Sequence, residues 1–245
     1  MLRLACSAAA AGVVVAYTLP ALLRAYRRAT AKPKLTYFNI RGMGEHLRLA
    51  LAIARVPFDD VRLDRDGFQK LKPELKFGQL PVMHLDNDKI ELVQTAAIMR
   101  YIAQAFEPSL YSSDPIIAAT IDAMVQQVQD MQVGKLVFSY RERFGVRADA
   151  LDDEHAAIAK ANYYKEVLPR HLTYFEKILS ESPTTWLVGT AGPTIADITL
   201  ACTFGQNVDN KDPLYSLPKN VAALVKAFYD LPAVKAFIAT DPLVK

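Results

Sequence analysis

After the first thirty residues, apolar and polar positions follow two different periods, and the change between them predicts a β-α-β unit. Residues 34–39 and 58–63 alternate at every second position, as strands do. Between them, Arg41-Gly42-Met43-Gly44 is expected to turn the chain. Residues 45–56 then repeat apolar side chains at helical spacing, with Leu47, Leu51 and Ala54 expected to face inward, and stop before a proline. The polar stretch 64–76 shows neither period and is expected to be irregular.

The next thirty residues complete this unit with a hairpin and a helix. Two short apolar runs, 82–85 and 90–93, lie on either side of Asp86-Asn87-Asp88, which predicts a β-hairpin. A helix is then expected to open at Gln94-Thr95. Its inward side is expected to carry Ala97, Ile98, Tyr101, Ile102 and Ala105. Together these elements predict a mixed sheet covered by helices.

Beyond residue 115 the apolar positions recur at helical spacing only. Helices are expected over residues 116–137, 152–179, 217–231 and 232–238, and residues 198–204 are expected to form a buried helix. Thr194 and Asp197 have the spacing of a capping box. The proline-containing segment 107–114 is the expected boundary, so the domains are expected at 34–112 and 115–245.

An uncharged and mostly apolar run covers residues 4–23, with arginines on both sides. Its twenty residues match a bilayer core at about 1.5 Å per residue. Residues 1–30 are therefore expected to be a membrane anchor or targeting segment. A retained signal anchor, a mitochondrial presequence and a cleaved secretory signal all stay open. An anchor fits the length of the run, and the arginines would then keep the body of the protein in the cytosol.

Charge and cysteine content argue against several function classes. The chain carries +3, but residues 1–44 hold seven lysines and arginines and no acid, which leaves −4 for the remainder. A mildly acidic body argues against nucleic-acid binding. Cys6 and Cys202 lack a CxxC partner, which argues against a dithiol redox centre. The four histidines lack metal-ligand spacing, so no metal is expected.

Two features of the hairpin region predict a site for a peptide-like ligand. The Gln94-Thr95 pair combines polar side chains with the backbone N–H groups of a helix N-terminus, which suits a carboxylate. Leu80-Pro81, at the entry to a strand, is expected to hold a cis peptide bond and to present the Leu80 backbone to an extended ligand. We therefore expect one peptide-like molecule to be held at both places.

Six segments, in order along the chain, resemble a known family. They are KLTYFNIRGMGE (34–45), FGQLPV (77–82), LVQTAAIMRYIA (92–103), IDAMVQQVQDM (121–131), WLVGTAGPTIADITL (186–200) and LPAVKAFI (231–238). They resemble the cytosolic glutathione transferases, most closely the alpha and sigma classes, the latter typified by haematopoietic prostaglandin D synthase. The resemblance implies an α/β thioredoxin-like domain followed by an all-α helical bundle, a homodimer, and glutathione as co-substrate.

The resemblance also implies roles for individual residues. Tyr37 stands at the position of the catalytic tyrosine, whose hydroxyl stabilises the glutathione thiolate. Such stabilisation is needed because a free thiol has a pKa of about 8.5 and is mostly protonated near neutral pH. Gln94 and Thr95 would hold the γ-glutamyl carboxylate, Lys72 the glycine carboxylate, and Asp130 the glutathione amine of the partner subunit. The full set of glutathione-binding positions is Tyr37, Phe68, Lys72, Gln79, Leu80, Pro81, Gln94, Thr95 and Asp130.

Two positions depart from the family pattern. Phe68 stands where sigma members often have tryptophan, and Met43 stands where both classes carry an arginine near the thiolate. Loss of that charge is expected to weaken thiolate stabilisation by ~1–2 kcal/mol. The hydrophobic pocket for the second substrate is expected around Ile40, Leu136, Phe138 and Tyr140.

The sequence therefore predicts a membrane-tethered glutathione transferase that conjugates glutathione to hydrophobic electrophiles, an activity typical of detoxification. One alternative is a catalytically weak binding or assembly subunit of a membrane complex, which Met43 and the apolar N-terminal segment favour. Another is a glutathione-dependent isomerase of the prostaglandin type. A thioredoxin or glutaredoxin is not expected because its cysteines are missing.

Overall fold

The computed structural model describes residues 22–27, 29–147, 149–205 and 215–243. Two compact units divide between Pro108 and Ser109. The apolar run at 4–23 lies outside the described residues except for its last two positions, which belong to a helical segment over residues 22–27 and 29–30. Within the described ranges, no helix combines the length and the apolar character needed to cross a bilayer.

The first unit contains a four-stranded mixed sheet. Its elements, in chain order, are β1 (Lys34–Phe38), α1 (Gly42–Ile53), β2 (Asp59–Leu63), α2 (Arg65–Leu71), β3 (Val82–Leu85), β4 (Ile90–Val93) and α3 (Thr95–Phe106). The strand order is β2-β1-β3-β4, with β1 parallel to β2 and the other neighbours antiparallel. The predicted β-α-β unit and hairpin are confirmed, and they form one sheet.

The register of this sheet brings three chain segments to one end of it. Thr36 of β1 pairs with Val82 of β3, and Val82 pairs with Val93 of β4. Because both pairs are antiparallel, the next residues along are Tyr37, Pro81 and Gln94. The end of β1, the entry to β3 and the start of α3 therefore lie side by side.

Helix α1 is buried nearly all round because it packs against both β1 and α3. Every residue from Gly44 to Leu51 is buried, including Leu47 and Leu51, which the helical spacing predicted to face inward. Helix α1 begins at Gly42 and not at Glu45, so it includes part of the segment that was expected to be a turn. It thus reaches the end of the sheet where the three segments meet.

The buried face of α3 is rotated from the predicted one. Ile98 and Ile102 are fully buried as predicted, but Ala97 is exposed. The helix buries Thr95, Ile98, Met99, Ile102, Ala103 and Phe106. Methionine and phenylalanine remove far more apolar area from water than alanine does, so the larger side chains decide which face turns inward.

The stretch 64–76 was expected to be irregular, and that prediction is wrong. It contains α2 and a 3-10 turn at Lys72–Glu74. Asp64 caps α2, since its Oδ1 accepts a hydrogen bond from the Gly67 N–H at 2.7 Å. No residue of α2 is fully buried, so the helix shows little apolar periodicity. A side-chain cap, and not an apolar stripe, marks where this helix begins.

The second unit is all-helical, as predicted. Its helices are α4 (Pro115–Ser139), α5 (Asp153–Asn162), α6 (Leu168–Glu181), α7 (Ile195–Phe204), α8 (Lys219–Tyr229) and α9 (Pro232–Thr240), with a π-helical turn at Tyr163–Val167. Asp114 caps α4 by accepting hydrogen bonds from the Ile116 and Ile117 N–H groups at 2.9 and 3.0 Å. Helix α7 lies at the centre, in contact with α4 and α8.

The predicted capping box of α7 is confirmed, and it is fully buried. Asp197 Oδ2 accepts hydrogen bonds from the Thr194 N–H at 2.7 Å and from the Thr194 hydroxyl at 2.8 Å. Asp197 Oδ1 accepts a third from the Leu187 N–H at 2.8 Å. Burial raises the pKa of Asp197, while the hydrogen bonds from Leu187 and Thr194 act in the opposite direction. The start of α7 is therefore closed by side chains of its own segment.

Candidate functional site

Tyr37 lies at the end of β1, with its hydroxyl beneath the N-terminus of α1. The Met43 N–H donates a hydrogen bond to the Tyr37 oxygen over 3.1 Å. The side chain is 7% exposed, which keeps the phenol largely out of water. A phenol oxygen that accepts a hydrogen bond still has its own proton to donate. The helix N-terminus further favours negative charge on that oxygen, so the Tyr37 O–H is polarised as a donor.

Two glycines allow α1 to approach Tyr37 this closely. A Cβ at Gly42 would lie 2.7 Å from the Tyr37 hydroxyl oxygen, and one at Gly44 would lie 2.4 Å from Tyr37 Cδ1. Gly42 also has φ of +41°, a conformation that glycine adopts most readily. We missed this packing in the sequence, where the two glycines were taken for a turn. The available signal was a Gly-x-Gly directly after a strand.

An aromatic chain links Tyr37 to α2. The Tyr37 and Phe38 rings meet edge-on with centroids 5.5 Å apart, and Phe38 meets Phe68 in the same way at 5.1 Å. Phe68, predicted to line the glutathione site, is thus half-buried and two rings away from the hydroxyl. It presents an apolar edge where a tryptophan would add an N–H donor.

The loop before β3 carries the next group of predicted residues. The Leu80-Pro81 peptide bond is cis, as predicted. Gln79 is exposed and Leu80 half-buried. The Lys72 side chain crosses this loop at Gly78, where an added Cβ would lie 3.5 Å from Lys72 Cγ and 3.6 Å from Cε. The structure therefore places Lys72 beside the segment that leads to the cis peptide.

Gln94 has an unusual backbone conformation at the start of α3. Its φ and ψ are +71° and 115°, and its side chain makes no capping hydrogen bond to the helix. The Gln94 carbonyl accepts the first helical hydrogen bond, from the Ile98 N–H at 3.0 Å. Holding a non-glycine residue at positive φ costs roughly 1–3 kcal/mol, and such residues cluster at functional sites. The exposed Gln94 and the buried Thr95 thus open the helix toward the end of the sheet where Tyr37 lies.

Comparison with known proteins agrees with this geometry. The glutathione S-transferase N-terminal domain family matches residues 33–104, and the glutathione S-transferase C-terminal domain family matches residues 141–241. A glutathione S-transferase of Anopheles gambiae is 31% identical over 211 residues, which is 86% of this chain and 97% of that protein. The chain belongs to the glutathione S-transferase family. Glutathione S-transferase 1 of Ascaris suum is 32% identical, over 85% of this chain and 96% of that protein.

Solved structures of the family show the same fold. The glutathione S-transferase of Ascaris lumbricoides aligns with a TM-score of 0.69 at 31% identity, over 86% of this chain and 98% of that one. Na-GST-3 from the hookworm Necator americanus, described as monomeric, aligns with a TM-score of 0.69 at 26% identity, over 86% and 98%. The predicted family and the predicted two-part fold are therefore confirmed.

Other residues that the resemblance singled out lie on helix α4, directly after it, or beside β1. Asp130 is exposed on α4. Leu136 and Phe138 are half-buried near the end of α4, where the Phe138 and Tyr163 rings meet edge-on at 5.6 Å. Tyr140 and Ile40 are 59% and 53% exposed. The roles of Asp130 and of the hydrophobic-pocket residues stay predictions.

A buried arginine beside Tyr37 was not expected from the sequence. The Arg48 guanidinium carbon lies 5.8 Å from the centroid of the Tyr37 ring, and the Arg48 side chain is 1% exposed. Arg48 Nε donates to both oxygens of Asp60 at 3.0 Å. The sequence signal was a pair of charged residues, Asp60 and Arg62, two positions apart in a predicted strand.

Proposed function

We propose that this chain conjugates glutathione to hydrophobic electrophiles, with the Tyr37 hydroxyl stabilising the glutathione sulfur as a thiolate. The enzyme class is that of its relatives, two glutathione S-transferases that this chain matches over most of their length. One observation carries the assignment of Tyr37: its oxygen accepts the Met43 N–H at 3.1 Å, so its own proton can point to a ligand at the end of the sheet.

The chemistry needs few groups from the protein. The glutathione thiol loses its proton to water, and the Tyr37 O–H donates a hydrogen bond to the resulting sulfur anion. The sulfur then forms a bond to the electrophilic carbon, and the leaving group departs with the bonding electrons. With a chlorodinitrobenzene the leaving group is chloride. Tyr37 keeps its proton throughout, so it acts as a hydrogen-bond donor and not as a general base.

Glutathione would lie extended across the end of the sheet. The register that places Tyr37, Pro81 and Gln94 side by side supports this position. The Leu80 backbone would pair with the cysteinyl segment, and Gln94 with Thr95 would hold the γ-glutamyl carboxylate at the N-terminus of α3. Lys72 would hold the glycine carboxylate. Gln79 and Phe68 would complete the site.

We infer a homodimer from the family and from Asp130. Its carboxylate is exposed on α4 and is proposed to bind the glutathione amine in the partner subunit. One hookworm relative is described as monomeric, so the mass of this protein in solution decides between dimer and monomer. Light scattering that gives the mass of two chains supports the dimer, and the mass of one chain contradicts it.

Membrane attachment through residues 4–23 is proposed from the sequence alone, with the body in the cytosol and mitochondrial import as the alternative. Alkaline extraction of cell membranes distinguishes these: an anchored chain stays in the pellet, whereas an imported and cleaved chain is soluble and shorter.

The second-substrate pocket is proposed from the resemblance, with Ile40, Leu136, Phe138 and Tyr140 as its lining. Neither the assembly-subunit nor the isomerase alternative gains support from the contacts described above.

The decisive experiment is conjugation of glutathione to chlorodinitrobenzene by the full chain and by Tyr37→Phe. We expect the variant to lose at least roughly tenfold in kcat, since one hydrogen bond to the developing anion is removed. Retention on a glutathione column should be unchanged. Tyr101→Phe is the matched control, because Tyr101 is half-buried on α3 and burial raises its pKa. Equal activity of Tyr37→Phe and the control would contradict the role of Tyr37.

A further inference from the structure

A cleft in the second unit lies between the C-terminal end of α4 and helix α5. Its volume is about 460 Å³, which falls within the range of about 300–1,000 Å³ that is typical of small-molecule sites. Its lining is contributed by the end of α4, the turn that follows, α5 and the π-helical turn, all within the second unit. We call it the α4–α5 cleft.

Contacts between α4 and the π-helical turn fix one end of the α4–α5 cleft. Gly134 leaves room for the Tyr163 ring, since an added Cβ would lie 3.0 Å from Tyr163 Cδ2. The Tyr163 hydroxyl donates a hydrogen bond to the Met131 carbonyl at 3.0 Å. Burial, together with the neighbouring Tyr164 and Tyr215, raises the pKa of Tyr163 to about 12, so this hydroxyl stays protonated. Tyr163 therefore anchors the π-helical turn to α4.

Arg141 fixes the opposite end of the α4–α5 cleft. Its Nη1 donates a hydrogen bond to the Leu151 carbonyl, and its Nη2 donates one to Asp153 Oδ1 at 2.6 Å. These bonds join the turn after α4 to the start of α5. Both sides of the cleft are thus held in place without a ligand, which lowers the entropic cost of binding one.

Two aromatic side chains, Phe138 and Tyr164, line the α4–α5 cleft. Phe138 meets the Tyr163 ring edge-on at 5.6 Å, and Tyr164 stacks on Tyr215 with centroids 5.9 Å apart and an angle of 9° between the rings. Phe138 and Tyr164 are half-buried, so part of each ring stays accessible. Tyr164 also belongs to the π-helical turn, and such turns occur frequently at functional sites. The two rings offer a fixed apolar surface to a flat aromatic group.

Two lysines line the same cleft from its opposite sides, Lys135 on α4 and Lys160 on α5. Within the part of the chain that the structure describes, neither lysine forms an ion pair or a side-chain hydrogen bond, whereas Arg141 is occupied by Leu151 and Asp153. Two available ammonium groups match a ligand with two negative charges. A phosphate monoester carries about −1.5 to −2 at pH 7, twice the charge of a carboxylate.

We propose that the α4–α5 cleft binds a small aromatic phosphate, a chemical class that includes the nucleoside monophosphates. The flat ring would lie against Phe138 and Tyr164, and the phosphate would lie between Lys135 and Lys160. This site adds a second ligand to the chain and does not depend on the proposed conjugation reaction. Phe138 also belongs to the proposed second-substrate pocket, so the test below leaves it unchanged.

The test is equilibrium dialysis of the full-length chain with four probes. Adenosine monophosphate carries both the flat ring and the two charges. Adenosine lacks the phosphate, inorganic phosphate lacks the ring, and naphthalenesulfonate has a flat ring with a single charge. We expect adenosine monophosphate to bind at least about tenfold more tightly than each of the other three.

Substitutions then locate the bound phosphate. Lys135→Gln and Lys160→Gln should each weaken binding of adenosine monophosphate by about tenfold, because each removes one charge-assisted hydrogen bond. Lys160→Arg keeps the charge and should keep most of the affinity. Lys177→Gln, at an exposed position of α6 outside the cleft, is the matched control and should bind as the unmodified chain does. Thermal unfolding and glutathione conjugation should be the same in all four variants.

Several results would overturn the proposal. Failure of the unmodified chain to bind adenosine monophosphate at millimolar concentration excludes the site. Binding of inorganic phosphate, adenosine or naphthalenesulfonate as tightly as adenosine monophosphate excludes the proposed ligand class. Equal affinity in Lys135→Gln, Lys160→Gln and Lys177→Gln places the bound molecule outside the α4–α5 cleft. None of these results bears on Tyr37, so the proposed function stands or falls separately.

Discussion

The helices α3 and α7 begin in opposite ways. Helix α7 is closed by Thr194 and Asp197, whose side chains and backbone satisfy one another and are fully buried. Helix α3 begins at Gln94, which is exposed, strained at φ of +71°, and makes no side-chain capping bond. Helices α3 and α7 both contain several buried residues, so burial of the helix does not explain why their starts differ.

The contrast indicates what each end is for. Backbone N–H groups at a helix start need acceptors, and a side chain of the same segment is the usual one. At α7 the acceptor is built in, which serves the stability of the second unit. At α3 the acceptor would be the carboxylate of glutathione, which serves binding. Substitutions at the two ends should therefore affect different measurements.

The largest effect is expected at the closed end. Asp197→Ala removes the acceptor for the Leu187 and Thr194 N–H groups and leaves them buried without a partner. We expect a loss of ~3 kcal/mol in the free energy of unfolding, measured with urea. Asp149→Ala, at a 69%-exposed side chain, is the control and should change little. A loss no greater than that of the control would show that the capping box does not hold α7 in place.

A smaller effect of opposite sign is expected at the open end. Gln94→Gly relieves the positive φ and should raise the free energy of unfolding by up to ~1 kcal/mol. The same variant lacks the side chain that is proposed to contact the glutathione carboxylate, so its KM for glutathione should rise about tenfold. Gln94→Ala separates the two effects, since it loses the side chain but keeps the strain. Unchanged KM in both variants would exclude Gln94 from the glutathione site.

The smallest effect is expected at a third helix start, which is closed but exposed. Asp152 Oδ1 accepts one hydrogen bond from the backbone N–H of His155 at 2.8 Å. It also lies 2.8 Å from Nδ1 of the His155 ring. The backbone hydrogen bond from His155 is the main reason why the pKa of Asp152 is lowered from 3.8.

Because the folded pKa of Asp152 is the lower one, its contribution to stability is present above the unfolded pKa and is lost as the pH falls through the folded pKa. A carbon-13 titration of the Asp152 carboxyl should therefore give a midpoint below 3.8. Protection of the His155 amide against hydrogen exchange should weaken over the same pH range, and Asp152→Ala should abolish that dependence. A midpoint at or above 3.8 would contradict the cap.

Local chemistry made the hairpin predictable from the sequence. Strands β3 and β4 have the predicted bounds because Asp86, Asn87 and Asp88 all lie at positive φ, between 50° and 69°. Asparagine and aspartate tolerate this conformation better than other non-glycine residues. The turn is therefore encoded by three adjacent residues, and no distant contact is needed to explain it.

Contacts between distant residues could not be predicted in the same way. Arg48 lies in the middle of a helix, and nothing local distinguishes it from a solvated arginine. Its burial depends on Asp60, which follows twelve positions later on a neighbouring strand. Likewise, the resemblance placed Tyr37, Pro81 and Gln94 in a common site, but only the strand register explains why they lie side by side.

The most direct test of the central claim is the pKa of glutathione bound to the unmodified chain and to Tyr37→Phe. The account predicts a thiol pKa at least about one unit below the free value of about 8.5 in the unmodified chain. It predicts a return to within roughly half a unit of that value in the variant, with glutathione still bound. The same lowered pKa in both proteins would contradict the claim that the Tyr37 hydroxyl stabilises the thiolate.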